Sequence, residues 1–331
     1  MRHRPERLPG FPWMACRKDG RFLNIDAPWV PRWKDVLRWK LSPRPHRVRF
    51  ENGEGAGFPE AVRIDWAALR DPPPESITAT WLGHATFLLQ TGGLTLLTDP
   101  LFGDYCAPWR VPAFHRRLPS PFRVEESPPP DLVILSHSHF DHCDRGSLRQ
   151  LSRGTLVCCP LGLGPLIVSW GFRQVVEMGW GDRIEDDSWT LLCLPAQHAS
   201  ARTPFDRDRV LWCSWLFSCR ERSVFFAGDT GYARFHRELG RRFAPVDLAL
   251  LPIGAYRPAW LQRPLHMSPM EAVRLHLDLA ARRSLAMHWG TFRLSDEPWE
   301  EPPLLLAEAR RLFGLSADSF RAPKQGETIT L

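Results

Sequence analysis

The sequence predicts an α/β protein in which two β-sheets pack face to face and helices cover their outer sides. Two halves of the chain are each rich in strand-like runs with helical segments between them, which is typical of layered α/β architectures. In both halves, His or Asp residues follow the carboxyl ends of predicted strands. The chain has 331 residues, of which 44% are hydrophobic, so it is long enough to bury a large core.

Residues 1–75 are expected to form a basic, aromatic extension that packs on a main domain of residues 76–331. Residues 1–50 hold 13 Lys and Arg against 4 Asp and Glu, a net charge of +9, so the rest of the chain carries −3. The positive charge is therefore local to the extension. The net charge of +6 for the whole chain gives no argument for specific nucleic-acid binding.

Within this extension, residues 31–41 carry the pattern of a short amphipathic helix. Trp33, Val36 and Leu37 fall on one face, and Lys and Arg occupy the others. The helix either lies on an anionic membrane surface or packs its apolar face on the main domain. We favour packing, because most apolar stripes belong to a core. Peripheral membrane contact through residues 1–50 is the alternative.

No secretory signal or membrane span is predicted. The first 30 residues lack an apolar run, and the uncharged stretch at 156–172 is interrupted by Pro160 and Pro165. The 8 cysteines show no zinc-finger or paired spacing, which favours buried free thiols in a reducing cytosol. We expect a cytoplasmic protein whose membrane association, if any, is peripheral. The oligomeric state is open, with a homodimer as one option.

The sequence of the first half of the main domain predicts a hairpin followed by alternating strands and helices. Thr91, Gly92 and Gly93 join two β-rich runs, which is a hairpin signal. Residues 102–130 form a long proline-rich connection, and we interpret it as a wall of a functional site. The predicted strands are residues 77–82, 85–90, 94–98, 132–135, 155–159 and 175–178, with helical segments at 147–151 and 164–170.

The second half repeats this alternation. A helix near residue 270 has a clear start, because Ser268 and Glu271 form a capping box with Pro269 at the first helical position. His266 lies in the loop just before this cap. The predicted strands are residues 190–194, 211–218, 224–227, 248–251 and 284–287.

The strongest chemical signal follows the predicted strand at 132–135. His137, His139, Asp141 and His142 lie within six positions. Imidazoles and carboxylates are ligands that divalent transition metals prefer. His137 and His139 alternate and can face one side, whereas Asp141 and His142 are neighbours whose side chains diverge, which favours two ions. The alternative is a polar loop that carries histidines by chance.

Three further residues of the same kind follow other predicted strands. They are His198, Asp229 and His288, and glycines on either side of Asp229 allow the backbone to turn tightly. If these strand ends gather at one edge of the sandwich, the three side chains converge on the first cluster. The sequence then predicts one metal site built from seven side chains.

These motifs resemble the metallo-β-lactamase superfamily, and within it the N-acyl-phosphatidylethanolamine-hydrolysing phospholipases D and their bacterial relatives. The resemblance rests on residues 137–142, followed in order by His198, Asp229 and His288. It runs from about residue 76 to about residue 295. The other matching segments are residues 81–86, 97–100, 195–198, 226–232, 251–256, 266–272 and 288–292.

The resemblance implies an αββα sandwich of two mixed sheets with flanking helices and a site for two Zn²⁺, or other divalent transition metals, at one edge. Asp99 would lie behind the ligands and orient one of them, and His84 would have a structural or a catalytic role. The implied ligands are His137, His139 and His198 for one ion, Asp141, His142 and His288 for the other, and Asp229 as the bridge.

The implied activity is hydrolysis of a phosphodiester, with a phospholipid as the expected substrate. Asp141 or Asp229 would steer the proton of the attacking water. His266 would contact the substrate phosphate, unless it is an ordinary loop histidine. A lactonase or a nucleotide phosphodiesterase on the same metals is the enzymatic alternative. A metal-binding scaffold without catalysis is the alternative from another class.

Overall fold

Two mixed β-sheets face each other, and helices lie on their outer sides, so the predicted fold class is confirmed. The computed structural model describes residues 3–26, 31–42, 60–73 and 75–331. In chain order the strands are β1 (Glu6–Arg7), β2 (Arg17–Lys18), β3 (Arg21–Phe22), β4 (Ile77–Gly83), β5 (Thr86–Thr91), β6 (Leu94–Thr98), β7 (Leu132–Ile134), β8 (Leu156–Pro160), β9 (Gln174–Met178), β10 (Asp182–Glu185), β11 (Trp189–Pro195), β12 (Cys213–Cys219), β13 (Arg222–Phe226), β14 (Leu248–Pro252), β15 (Arg283–Met287), β16 (Phe320–Arg321) and β17 (Thr328–Thr330).

The helices are short and lie between the strands. None of them, within the described residues, is long and apolar enough to cross a bilayer. The α-helices are α1 (Trp33–Leu41), α2 (Arg145–Leu148), α3 (Gly164–Ser169), α4 (Phe235–Phe243), α5 (Ala259–Gln262), α6 (Pro269–Asp278) and α7 (Glu301–Leu312), and 3₁₀ turns span Ala68–Arg70 and Pro112–Phe114.

The first sheet has the order β17-β4-β5-β6-β7-β8-β9. Its strands β4 to β6 are antiparallel, whereas β6 to β9 are parallel. Thr98 at the end of β6 pairs with Ile134 at the end of β7. Because neighbouring parallel strands end at the same edge, Asp99 and His137 emerge side by side.

The second sheet has the order β1-β10-β11-β12-β13-β14-β15-β16. Strands β13 to β16 are parallel, and β11 runs in the same direction because two antiparallel pairings separate it from β13. The carboxyl ends of β11, β13 and β15 therefore share one edge. His198, Asp229 and His288 follow these three ends.

Strand β5 is apolar on both of its faces. Phe87 and Leu89 belong to the core shared with the second sheet, and Leu88 belongs to an outer core with Leu148 and Ile167 of α2 and α3. A strand covered on both faces loses the alternation of polar and apolar residues. The uninterrupted apolar run of β5 in the sequence is explained by this burial on both faces.

Several elements were not predicted from the sequence. Strand β10 carries one apolar core residue, Ile184, and β16 and β17 are very short. Helix α7 begins with Pro302 and Pro303, which resemble a loop but are tolerated in the first helical turn. Helix α2 begins two residues before its predicted start, because the side chain of Asp144 accepts a hydrogen bond from Ser147 N at 2.7 Å and caps it.

The N-terminal extension contacts the main domain at several points. Strand β1 pairs with β10, and Phe11 and Phe22 belong to the main core. The boundary at residue 75 stays a prediction, and residues 27–30 and 43–59 of the extension lie outside the described residues.

Helix α1 forms where the sequence predicts it, but its apolar face does not pack on the main domain as we favoured. Trp33 is 68% exposed and Leu37 is 49% exposed in the described structure. The helix is held instead by Trp39, whose indole N–H donates to Asp296, and by Arg38, which lies over the ring of Trp260. The predicted face is therefore open to solvent.

Candidate metal centre

Three histidines from two loops form the first ligand group. His137 Nε2 lies 2.8 Å from His139 Nδ1, and His198 Nε2 lies 3.3 Å from the same atom. His137 and His198 are fully buried. The loop after β7 supplies two of the rings and the loop after β11 supplies the third. Three converging imidazole nitrogens are a complete protein ligand set for one zinc ion with an open position.

The second ligand group gathers around Asp141. Its Oδ2 atom lies 3.0 Å from His84 Nε2, 3.4 Å from His142 Nε2 and 3.8 Å from His288 Nε2. The four ligand atoms of this group lie within 4.8 Å of one another. His84, for which the sequence left a structural or a catalytic role open, therefore stands beside the ligands, on the turn after β4.

Asp229 lies between the two groups. Its Oδ2 atom is 3.2 Å from His142 Nε2, 3.1 Å from His288 Nε2 and 3.7 Å from His198 Nε2. The first two contacts lack hydrogen-bond geometry, and both Nε2 atoms and Asp229 Oδ1 have no hydrogen-bond partner among the described residues. Buried donors and acceptors are normally paired. Crowded nitrogen and oxygen atoms without that pairing fit ligands of shared metal ions.

Residues behind the ligands fix the orientation of the rings. His142 Nδ1 donates to Asp99 Oδ2 at 2.7 Å, and Asp99 also accepts from Ser136 N at 2.7 Å and Ser136 Oγ at 2.5 Å. His198 Nδ1 donates to Leu265 O at 3.0 Å. When Nδ1 carries the proton, the lone pair of Nε2 is free for a metal. Both Nε2 atoms point into the cluster.

The two ligand groups differ in charge. Burial lowers the pKa of His137 and of His198 well below the usual value. Burial raises the pKa of Asp229, but the charges of His142 and His288 outweigh it and hold the pKa well below its usual value. Burial also lowers the pKa of His288, but Asp229 and Asp141 outweigh it and raise the pKa to about 9. A divalent ion held by His288 would therefore take the place of a proton.

The long connection after β6 forms a wall of this centre. Trp109 places its ring 6.4 Å from the ring of Phe140, which lies between two of the ligands. Arg117 N donates to Thr291 O at 2.9 Å, and Thr291 Oγ1 accepts from His84 N at 2.7 Å. The connection thus contacts the loops that carry both ligand groups.

His266 borders the cluster on another side. Its Nδ1 atom is 3.8 Å from Asp229 Oδ2, and its ring lies 5.0 Å from the ring of His198. It also lines a groove of about 280 Å³ together with Arg263 and Arg274. The same side chain therefore contacts the centre and an open groove that carries Arg274 and the ion pair of Arg263 with Glu271. Together, the αββα sandwich and the His/Asp cluster at its edge have the features of a metal-binding protein.

Comparisons with known proteins support a metal-binding protein of this fold. The family model described as "Beta-lactamase superfamily domain" matches residues 95–289. A protein of Mycobacterium tuberculosis named as uncharacterized is 37% identical over 296 residues, 86% of this chain and 77% of that protein. N-acyl-phosphatidylethanolamine-hydrolyzing phospholipase D 1 of Caenorhabditis elegans is 34% identical over 238 residues, 68% of this chain and 67% of that protein. The structure of Igni18, a metallo hydrolase of Ignicoccus hospitalis, has a TM-score of 0.60 at 22% identity and covers 77% of this chain and 98% of that chain.

The chain belongs to the metallo-β-lactamase superfamily of metal-dependent hydrolases. The family and the enzyme class predicted from the sequence are confirmed. The structure brings all seven predicted side chains together and places His84 beside Asp141, His142 and His288. Arg202, which donates to Ser138 O and Cys143 O on either side of the ligands His139 and Asp141, was missed by the sequence reasoning. It lies four positions after His198, and no motif marks it.

Proposed function

We propose that the chain is a hydrolase that binds two divalent metal ions, preferably zinc. It cleaves phosphodiesters in the manner of a phospholipase D. The observation that carries this proposal is the position of Asp229 between two complete ligand groups. The proposed ligands are His137, His139 and His198 for one ion, Asp141, His142 and His288 for the other, and Asp229 for both.

The side chains have separate tasks in this reaction. When bound, such an ion pair polarises phosphoryl oxygens and lowers the pKa of water to about 7, so that hydroxide is available near neutral pH. Asp141 and Asp229 are ionised, because neighbouring histidines hold the pKa of each well below its usual value despite burial. Either carboxylate can accept a hydrogen bond from the attacking water and steer its proton. Asp99 keeps His142 oriented.

His266 is the proposed contact for the substrate phosphate. Burial lowers the pKa of His266 to about 4, so the ring is neutral near pH 7 and keeps one N–H donor. It stands at the border between the ligands and the groove of Arg263 and Arg274. A phosphoryl group at the centre would find a hydrogen-bond donor on this side, with cations beyond it.

The proposed substrate is a phospholipid diester of the N-acyl-phosphatidylethanolamine type. Two observations support this choice. One is the likeness to the Caenorhabditis elegans phospholipase, and the other is helix α1, whose open apolar face has cations such as Lys34 next to it. A helix of this kind suits an anionic membrane surface. We propose a cytoplasmic enzyme that contacts the membrane peripherally through this helix.

Metal removal and product analysis test the proposed function. The purified full-length protein should contain about two zinc ions per chain and should release phosphatidate from N-acyl-phosphatidylethanolamine in micelles. A chelator should abolish the reaction, and added Zn²⁺ should restore it, because water alone is a poor nucleophile near neutral pH. Hydrolysis that persists in metal-free protein would contradict the metal-dependent mechanism. Cleavage of soluble diesters or lactones without any cleavage of the lipid would favour the alternative substrates.

The open face of α1 gives a separate prediction for lipid substrates. Replacing Trp33 and Leu37 with Ser should lower the rate on anionic vesicles about tenfold, because each side chain loses apolar area at the membrane interface. The rate on a soluble diester should not change. The same substitutions at Leu312 and Phe313, which are exposed at the end of α7, serve as the matched control and should leave both rates unchanged. Equal losses on both substrates would contradict membrane docking.

A further inference from the structure

We propose that Arg202 is the positioning residue that holds residues 137–143, here called the ligand loop, in the shape that the metal ions need. The inference rests on the metal centre of the proposed function. Arg202 Nη1 donates one hydrogen to Ser138 O at 2.9 Å and the other to Cys143 O at 2.7 Å. One nitrogen atom thus ties both ends of the segment that carries His139 and Asp141.

The middle of the ligand loop is held by the same guanidinium. Its central carbon lies 3.9 Å from the centre of the Phe140 ring and 5.5 Å from the centre of the Trp170 ring. Phe140 stands directly between the ligands His139 and Asp141. A planar guanidinium can stack on a ring and bond two carbonyls at once, which an ammonium cannot do. The ligand loop is therefore fixed at its ends and at its centre.

Arg202 is itself held in place. The carboxylate of Asp206 accepts hydrogen bonds from Arg202 N at 3.0 Å and from Thr203 N at 2.8 Å. Ser200 Oγ lies 2.5 Å from Ser138 Oγ, which is a second tie between the two loops. Arg202 lies four residues after His198, in the same loop. Its hydrogen bonds therefore couple the loop of His198 to the ligand loop.

The partners of Arg202 distinguish it from an arginine that only stabilises the surface. Its side chain is partly buried and, within the described residues, forms no ion pair with a carboxylate. Its donors go instead to carbonyls of the ligand loop. Groups behind metal ligands keep the ligands ready for the ion and raise its affinity. Removing Arg202 should therefore weaken metal binding more than it weakens the fold.

Zinc release from the full-length, zinc-loaded protein tests this inference. The rate of transfer to excess chelator is measured for the parent, for Arg202→Ala and for Arg202→Lys, together with the unfolding midpoint of each metal-free protein. Release should be about 10–100-fold faster for Arg202→Ala. It should also be faster for Arg202→Lys, because an ammonium keeps the charge but loses the stacking and the fixed fork. Arg207→Ala is the matched control, since Arg207 lies in the same loop and pairs with Asp208. It should release zinc at the parent rate.

Two results would overturn the inference. One is release at the parent rate from both Arg202 variants. The other is a combination of three findings. Arg202→Ala releases zinc faster, the unfolding midpoint of its metal-free form falls strongly, and Arg202→Lys releases zinc at the parent rate. If Arg202→Ala does not fold, Arg202→Lys decides alone. The measurement of zinc release needs no substrate. It therefore tests the role of Arg202 even if the protein does not cleave phospholipids.

Discussion

Replacing Asp229 with Asn is expected to lower kcat/KM for the diester by about 10³-fold, or about 4 kcal/mol in the activation barrier. The substitution keeps the size of the side chain but removes the negative charge that lies 3.1–3.2 Å from His142 and His288. The remaining ligands are mostly neutral imidazoles, and they no longer balance the charge of two divalent ions. The zinc content should fall from about two ions per chain to about one or fewer.

A buried aspartate of the same sheet is the control for this prediction. Asp247 is 7% exposed and accepts a hydrogen bond from Ser223 N at 2.9 Å. It lies at the start of β14, at the edge opposite the metal centre. Asp247→Asn should lower the stability of the protein while leaving zinc content and kcat near the parent values. Full zinc content and near-parent activity in Asp229→Asn would show that Asp229 does not bridge the ions.

The sequence predicts that the seven side chains lie close together, because their position depends on simple rules. Apolar runs that end in His or Asp mark strand ends, and the parallel pairing of β6 with β7 and of β13 with β15 through β14 brings these ends to one edge. No long-range contact has to be known for this inference. The pair Gly92 and Gly93 after β5 likewise predicts the hairpin of β5 and β6 through local backbone preferences.

Other parts of the molecule depend on contacts that a sequence does not display. His84 faces Asp141 because the turn after β4 lies beside the loop after β7. The segment 81–86 resembles a family motif, but its residues do not show which side chain His84 contacts. Arg202 resembles any surface arginine until its carbonyl partners are known. The open face of α1 shows a different limit. A stripe of Trp33, Val36 and Leu37 has the same pattern whether or not it packs on a core, and only its 41–68% exposure shows that it does not.

Replacing Asp99 with Asn is expected to weaken binding of the second metal ion by about 10–100-fold, although Asp99 is not among the proposed ligands. Asp99 Oδ1 accepts from Ser136 N, and Oδ2 accepts from His142 Nδ1. An Asn in this place must keep its oxygen toward Ser136 N, so its NH₂ group faces His142. The ring then has to accept at Nδ1 and carry its proton on Nε2.

A ring with the proton on Nε2 cannot donate a lone pair to the second ion, so the zinc affinity and kcat should fall together. A large excess of Zn²⁺ should restore part of the activity of Asp99→Asn, because the other ligands are intact. It should not restore Asp229→Asn, which has lost the charge between the ions. Asp131→Asn is the control, since Asp131 accepts a hydrogen bond from Thr95 N at 2.9 Å at the opposite end of the sheet. Parent zinc affinity in Asp99→Asn, measured by competition with a chelator, would mean that the orientation of His142 is set by its packing and not by Asp99.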